Sequence, residues 1–353
     1  MSFKEVKELE NTPICLGYPL NYGYNYKELS EYISINLNNV GDPFSETTIK
    51  CNTKNIECEV LYFFADLWNI DKNNIWGYIT NSGTEGNLQG LYVGRESAQN
   101  NPHVFFTSKD SHFSIFKIAK ILQLNIVLVE SQENGEIDYH DFDAKVAQHR
   151  DKYIIVNANL GTTMKGGIDN TQELYRIIQK YKVKYYMHAD GALSGFYLPF
   201  LEKDIFFKSY INSMSISGHK FLGIPFPCGI FIMEKRFMDL VSNDSEYIGS
   251  KDYMISCSRN GHSALFFKHI IDNKKTKGFK KDVDKCIKLA DYATSKIEGS
   301  WRNRNSITVV FPKPSKEICK KWQLATEGNI AHIITMPNIT KEIVDEFIHD
   351  LVT

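Results

Sequence analysis

An α/β fold with a mostly parallel central sheet, followed by a small α+β C-terminal domain, is what this sequence predicts, and two observations carry that reading. From about residue 46 to residue 233, short β-rich runs alternate with helix-length periodic segments, the pattern of a parallel sheet wrapped by helices. Beyond about residue 250 the alternation gives way to helix-rich sequence with two isolated strand-like runs. With 353 residues and 42% hydrophobic content, the chain is long enough to bury one large core with a smaller unit attached. The expected division is an N-terminal arm or dimerisation segment over 1–45, a large domain over 46–250 and a small domain over 251–353.

Taken in order, residues 1 to about 45 read as a charged helix and then a Gly/Tyr/Asn/Pro-rich stretch around Gly17, Tyr18 and Pro19, a composition that rarely forms a domain of its own. Residues 75–80 are a β-rich run, and 83–96 read as a helix. Strands at 103–107 and 125–129 flank an apolar-periodic helix over 115–122. A strand at 153–157, a helix over 171–182 and a strand at 184–188 repeat the scheme, and 229–233 is a further buried strand. In the C-terminal part, 306–311 and 331–335 are strand-like, and the amphipathic segment 341–351 closes the chain.

Lys and Arg total 41 against 42 for Asp and Glu, a formal net charge of −1, with no long run of one sign. Nucleic acid and anionic membranes are therefore not expected partners. Seven cysteines, odd in number and without a Cys-x-x-Cys pair, argue for reduced thiols in a cytoplasmic setting and against a structural zinc site; no metal is expected. The first ten residues are charged and lack an apolar core, which argues against a signal peptide.

The chemistry centres on residues 213–223, a small-residue segment that delivers Lys220 between His219 and Phe221. A shielded lysine amine can lose its proton and attack an aldehyde, which is what covalent retention of pyridoxal phosphate requires. Thirty residues upstream, Asp190 ends an apolar strand, where a carboxylate is costly unless paired. The protonated pyridine nitrogen of pyridoxal phosphate is such a partner. Gly83, Thr84 and Gly86 follow a strand and open a helix, where free N–H groups and the helix dipole favour a phosphate. Ser217 and His219 flank Lys220 and can add hydrogen bonds to the same phosphate. Thr163 follows an apolar strand and is expected to point into the crevice at its carboxyl end, and Ala192 is small enough to let a ring lie against the backbone.

Four motifs occur in one order: residues 81–87 (Asn-Ser-Gly-Thr-Glu-Gly-Asn), 159–163 (Asn-Leu-Gly-Thr-Thr), 188–192 (His-Ala-Asp-Gly-Ala) and 217–220 (Ser-Gly-His-Lys). Together they resemble the group II pyridoxal-phosphate-dependent amino-acid decarboxylases, on the branch of bacterial-type histidine decarboxylases and plant-type serine decarboxylases. The resemblance runs from Gly17 to His332. It implies the aspartate aminotransferase-like fold (fold type I), pyridoxal 5'-phosphate as cofactor and a homodimer. It makes Lys220, Asp190 and His112 catalytic, with His112, in Ser111-His112-Phe113-Ser114, stacked on the cofactor ring. It also implies Thr163 as a cofactor contact, Asp169 as a brace for the loop after it, and an arm near Tyr18 that wraps a second subunit and approaches the substrate. Tyr247 and Tyr253 are further candidate substrate contacts, in a stretch over 247–262 that the resemblance makes a mobile active-site segment followed by a substrate-facing Ser-Arg-Asn-Gly-His (258–262). Arg259 is assigned to structure or to the dimer interface, because an arginine gripping the α-carboxylate would stabilise the ground state. The chain departs from the family at Ser82, where cysteine or glycine is expected, and at the bulky Tyr253-Met254. The expected reaction is decarboxylation of a small polar amino acid, L-serine to ethanolamine first and L-histidine to histamine second, with a non-decarboxylating protein of the same fold as the remaining alternative. His112, Lys220 and a loop tyrosine such as Tyr247 stay open as proton donors to Cα.

Overall fold

The computed structural model describes residues 14–202 and 210–352, together with Ser2 and Glu5; the charged helix expected at the start of the chain otherwise falls outside the described residues. Strands β1 (Asn38–Val40), β2 (Ile75–Thr80), β3 (His103–Ser108), β4 (Ile126–Val129), β5 (Tyr153–Asn159), β6 (Tyr185–Asp190), β7 (Ser213–Ser217) and β8 (Gly229–Glu234) precede β9 (Ser258–Asn260). Seven of them form one sheet in the order β2-β8-β7-β6-β5-β3-β4. The pairs β6–β7, β5–β6, β3–β5 and β3–β4 are parallel, whereas β8 is antiparallel to both neighbours. All strands except β8 therefore run the same way, and their carboxyl ends share one edge of the sheet.

Helices α1 (Lys54–Leu67), α2 (Gly83–Ser97), α3 (Phe113–Ile121), α4 (Tyr139–Gln148) and α5 (Thr171–Lys180) provide the crossovers and cover the sheet, followed by the short α6 (Ser194–Tyr197). Because helices cover both faces, every residue of β2 and of β5 is buried, which is why these strands read as continuous rather than alternating apolar runs. Helix α2 lies unusually close to the sheet. A Cβ at Gly86 would meet Ser215, one at Gly90 would overlap the His188 ring, and one at Gly94 would press on Tyr186. Their four-residue spacing keeps all three on one helix face.

Helix α7 (His262–Lys296), bent at Lys275 where φ is +52°, leads to a three-stranded antiparallel sheet, β10-β12-β11, formed by Thr308–Pro312, Ile330–Ile334 and Ala325–Glu327. Helices α8 (Lys316–Lys321) and α9 (Lys341–Val352) complete it. One continuous buried cluster joins this part to the main sheet, running from Phe64 and Phe196 through Phe267 and Phe279 to Phe311 and Phe347.

Residues 213–217, the start of the small-residue segment, form a fully buried strand; main-chain pairing with β6 and β8 satisfies its backbone, and the buried Ser213 and Ser215 hydroxyls are met by His188 Nδ1 and Asn87 Oδ1. The arm around Gly17 packs on its own chain over residues 14–26. Leu16 bonds the backbone of Trp322 and Ile334, Asn21 Nδ2 donates to the Phe221 carbonyl at 2.7 Å, and the Tyr26 hydroxyl donates to the Leu222 carbonyl at 2.5 Å.

Candidate active site

The carboxyl edge of the sheet gathers the residues the sequence singled out. Lys220 stands three residues beyond β7 in a turn closed by Gly218 N–H to the Cys228 carbonyl (2.8 Å) and Gly223 N–H to the Lys220 carbonyl (3.0 Å). Gly218 has no room for a side chain, since a Cβ there would run into Phe267 and Cys228. Lys220 is half-buried as a residue, and burial pushes the pKa of its amine below the ordinary lysine value while the Asp190 charge opposes the shift. Asp190 ends β6 and is 7% exposed, with Oδ1 accepting from Ala192 N–H at 3.1 Å and Oδ2 accepting from Asn87 Nδ2 at 2.8 Å.

His112 lies within electrostatic reach of both, Asp190 raising and Lys220 lowering its pKa, with burial as the dominant, lowering cause. It is also the N-cap of α3: Ser114 N–H donates to its Nδ1 at 3.3 Å, and the Ser114 hydroxyl stands 2.7 Å away. Because Nδ1 accepts, the neutral ring carries its proton on Nε2. The capping and the functional readings of His112 are thus compatible.

Gly83 opens α2 directly after β2. Ser82 caps this helix by accepting from Glu85 N–H at 3.2 Å, which explains a serine where the family pattern has another small residue. A Cβ at Gly83 would overlap the Ser217 hydroxyl, so glycine here leaves the helix N-terminus and that hydroxyl facing each other. Thr84 is exposed at the same turn, and His219 is half-buried with Nδ1 3.3 Å from the Cys228 carbonyl. Burial, and then the Lys220 charge, lower its pKa. A helix N-terminus, a hydroxyl and a half-buried lysine beside a buried carboxylate fit the phosphate, aldehyde and pyridine nitrogen of pyridoxal phosphate.

Thr163 is exposed beyond the end of β5, in a loop braced by Asp169. The buried Asp169 carboxylate accepts from Ile137 N–H (2.8 Å), Asn159 N–H (2.7 Å) and Asn159 Nδ2 (3.2 Å). Burial pushes its pKa up to about 7 against those hydrogen bonds. Tyr18 is 52% exposed, and its neighbour Gly17 is tied to the loop that holds Thr163 by His332, which faces the Gly17 carbonyl with Nε2 (2.9 Å) and the Met164 carbonyl with Nδ1 (3.0 Å).

Three residues are elsewhere. Tyr253, expected near the substrate, is buried against Trp76 at the amino end of β2, with ring centroids 5.5 Å apart. Gln89 of α2 clamps this segment, donating to the Tyr253 carbonyl (2.9 Å) and accepting from Ile255 N–H (2.9 Å). Its bulk therefore fills core and not the crevice of this chain. Tyr247 is 77% exposed on a 3-10 turn held by Thr48, whose hydroxyl donates to its carbonyl at 3.2 Å. Arg259 is buried in an ion pair with Glu57, donates to the Gly41 carbonyl at 3.0 Å and lies over the Tyr78 ring. No helix among the described residues is long and apolar enough to cross a membrane.

This sheet order, with a buried acid ending one strand and a lysine following the next, defines a pyridoxal-phosphate enzyme of fold type I. The solved structure of L-methionine decarboxylase from Streptomyces sp. 590 shares the fold with a TM-score of 0.90 at 22% identity, over 99% of this chain and 93% of that one. Residues 49–315 match the pyridoxal-dependent decarboxylase conserved domain, and the chain belongs to that family. Serine decarboxylase 1 from Oryza sativa subsp. japonica is 40% identical over 97% of this chain and 73% of its own length. Histidine decarboxylase from Morganella morganii is 38% identical, over 98% and 93%. The protein is thus a pyridoxal-phosphate-dependent amino-acid decarboxylase.

Proposed function

We propose that the substrate is L-serine and the products are ethanolamine and CO2. The observation that carries this reading is a half-buried Lys220 within electrostatic reach of the buried Asp190 carboxylate, in a chain similar over nearly its whole length to a serine decarboxylase. When bound, pyridoxal phosphate carries the substrate's amino group and takes up the electrons left as the bond from Cα to the carboxylate breaks. In this reading Lys220 holds the aldehyde carbon and Asp190 the ring nitrogen. Gly83, Thr84, Ser217 and His219 hold the phosphate, Thr163 and Ala192 border the ring, and His112 covers its free face. Arg259, committed to Glu57 in the core, leaves the substrate carboxylate ungripped, which favours its loss. Lys220, whose burial loosens its proton, and the Nε2–H of His112 are assigned as the proton carriers at Cα.

A second reading, L-histidine to histamine, is favoured by the match to the Morganella morganii enzyme over nearly its full length. We further propose a cytoplasmic homodimer in which a second copy covers Phe113, 61% exposed beside His112, and Tyr247; sedimentation at monomer mass would overturn the dimer. The deciding test of the substrate is CO2 release from a panel of L-amino acids by the purified protein supplied with pyridoxal phosphate. Release from serine supports the first reading, release from histidine alone replaces it with the second, and release from neither refutes both.

A further inference from the structure

Beneath Asp190 lies a chain of polar side chains that the assigned chemistry does not use. Asn87 Nδ2 donates to Asp190 Oδ2 (2.8 Å), Asn87 Oδ1 faces His188 Nε2 (2.9 Å) and accepts from the Ser215 hydroxyl, and His188 Nδ1 faces the Ser213 hydroxyl (2.8 Å). Asn87 is 3% exposed, and His188, Ser213 and Ser215 are fully buried. Four polar side chains under a sheet are costly, and apolar residues of similar size would be cheaper unless the arrangement serves a purpose.

The directions of these bonds follow from the acceptor at the end. A carboxylate only accepts, so the Asn87 amide must turn its NH2 to Asp190 and its oxygen to His188 and Ser215. That oxygen only accepts, so His188 must carry its proton on Nε2. Its Nδ1 lone pair then accepts from the Ser213 hydroxyl. Burial holds the His188 pKa down to about 3, so the ring is neutral and this single tautomer persists. Every donor in the chain therefore points towards Asp190.

Helix α2 is built to bring the chain together. Gly86 and Gly90 bracket Asn87, and a side chain at either would meet Ser215 or overlap the His188 ring. We infer that Asn87 and His188 are positioning residues, a one-way hydrogen-bond relay from Ser213 that holds the Asp190 carboxylate as an acceptor aimed at the cofactor's ring nitrogen. The inference rests on the proposed pairing of Asp190 with that nitrogen and goes beyond it by naming what aims the carboxylate.

The test uses the full chain stripped of cofactor, titrated with pyridoxal phosphate and with its 1-deaza analogue, in which carbon replaces the ring nitrogen. The quantity read is the ratio of the two dissociation constants, which a general loosening of the pocket does not change. Wild type is expected to prefer pyridoxal phosphate by roughly tenfold or more, the scale of one charge-assisted hydrogen bond. Asn87→Ala is expected to bring the ratio towards one. His188→Leu, one step further from the cofactor, is a second probe should Asn87→Ala fold poorly, and His188→Gln, which keeps a donor near the Nε2 position, should regain part of the preference lost in His188→Leu. Variants that bind both compounds more weakly by the same factor, with the ratio intact, would overturn the relay while leaving the pairing of Asp190 in place. A wild-type protein that does not distinguish the two compounds would overturn that pairing and the relay with it.

Discussion

Replacing Gly83 by alanine separates the packing role of this glycine from its proposed role in holding a phosphate. The backbone there is helical and not left-handed, so alanine costs nothing in φ/ψ and, by restricting the unfolded chain, gains up to about 1 kcal/mol. Against this, the new Cβ falls well inside 3.0 Å of the Ser217 hydroxyl, a separation that real Cβ atoms do not show. Ser217 is 5% exposed at the end of a fully buried strand, so relief requires a poor rotamer or a displaced strand end, at about 1–3 kcal/mol. The net expectation is an apoprotein destabilised by about 1–2 kcal/mol. In the double variant Gly83→Ala/Ser217→Ala the clashing oxygen is gone, and the nearest remaining atom, the Ser217 Cβ, lies at an ordinary 3.4 Å. Its stability should return to the wild-type value or above. Affinity for pyridoxal phosphate should fall about 10- to 100-fold in both variants, because a hydroxyl donor to an anion is displaced in one and absent in the other. Urea unfolding of the cofactor-free chain and fluorescence titration with the cofactor measure the two quantities separately. A double variant as unstable as the single one would show that Ser217 is not what Gly83 accommodates, and unchanged affinity in both would remove this corner from the phosphate site.

Lys220→Ala should abolish the visible absorbance of covalently held cofactor and slow CO2 release at least about a thousandfold, and turnover at the wild-type rate would end the assignment. Arg259→Ala leaves the fully buried Glu57 without its counter-charge and should cost about 3–5 kcal/mol in urea unfolding; a loss below about 1 kcal/mol would mean the pair is not closed in solution. Asp169 gives a pH test. Its folded pKa, pushed up to about 7, exceeds the carboxylate value of 3.8, so the folded state holds the proton over that window and stability attributable to this group declines as pH rises through it. The unfolding free energy of wild type minus that of Asp169→Asn should therefore fall as pH rises from 4 to 7, and a difference independent of pH would refute the shift.

Much of the fold is written locally. Strands β2, β3, β5, β6 and β8 and helices α2, α5 and α9 lie within a few residues of their predicted bounds, because apolar periodicity and glycine punctuation act over one element at a time. Asp190 and Lys220 were legible for a related reason: each is chemically out of place in its own segment, one as an acid ending a buried strand, the other as an amine in a small-residue turn. Strand β7 was not, since serines at alternate positions mimic a loop and only its neighbours on both sides make it a strand.

What the sequence alone determined, then, is the order of elements and which residues carry reactive groups. Tertiary structure decided their partners. Asn87 reaches Asp190 across 103 positions, Arg259 reaches Glu57 across 202, and Gly17 shares His332 across 315. Tyr253 reads as a polar-loop tyrosine until Trp76 and Gln89 are brought against it, and then it is core. No periodicity encodes these contacts, because they depend on how closely a glycine-lined helix settles on a sheet and where a strap of chain is laid down. The chemistry was local, and its aim was a matter of packing.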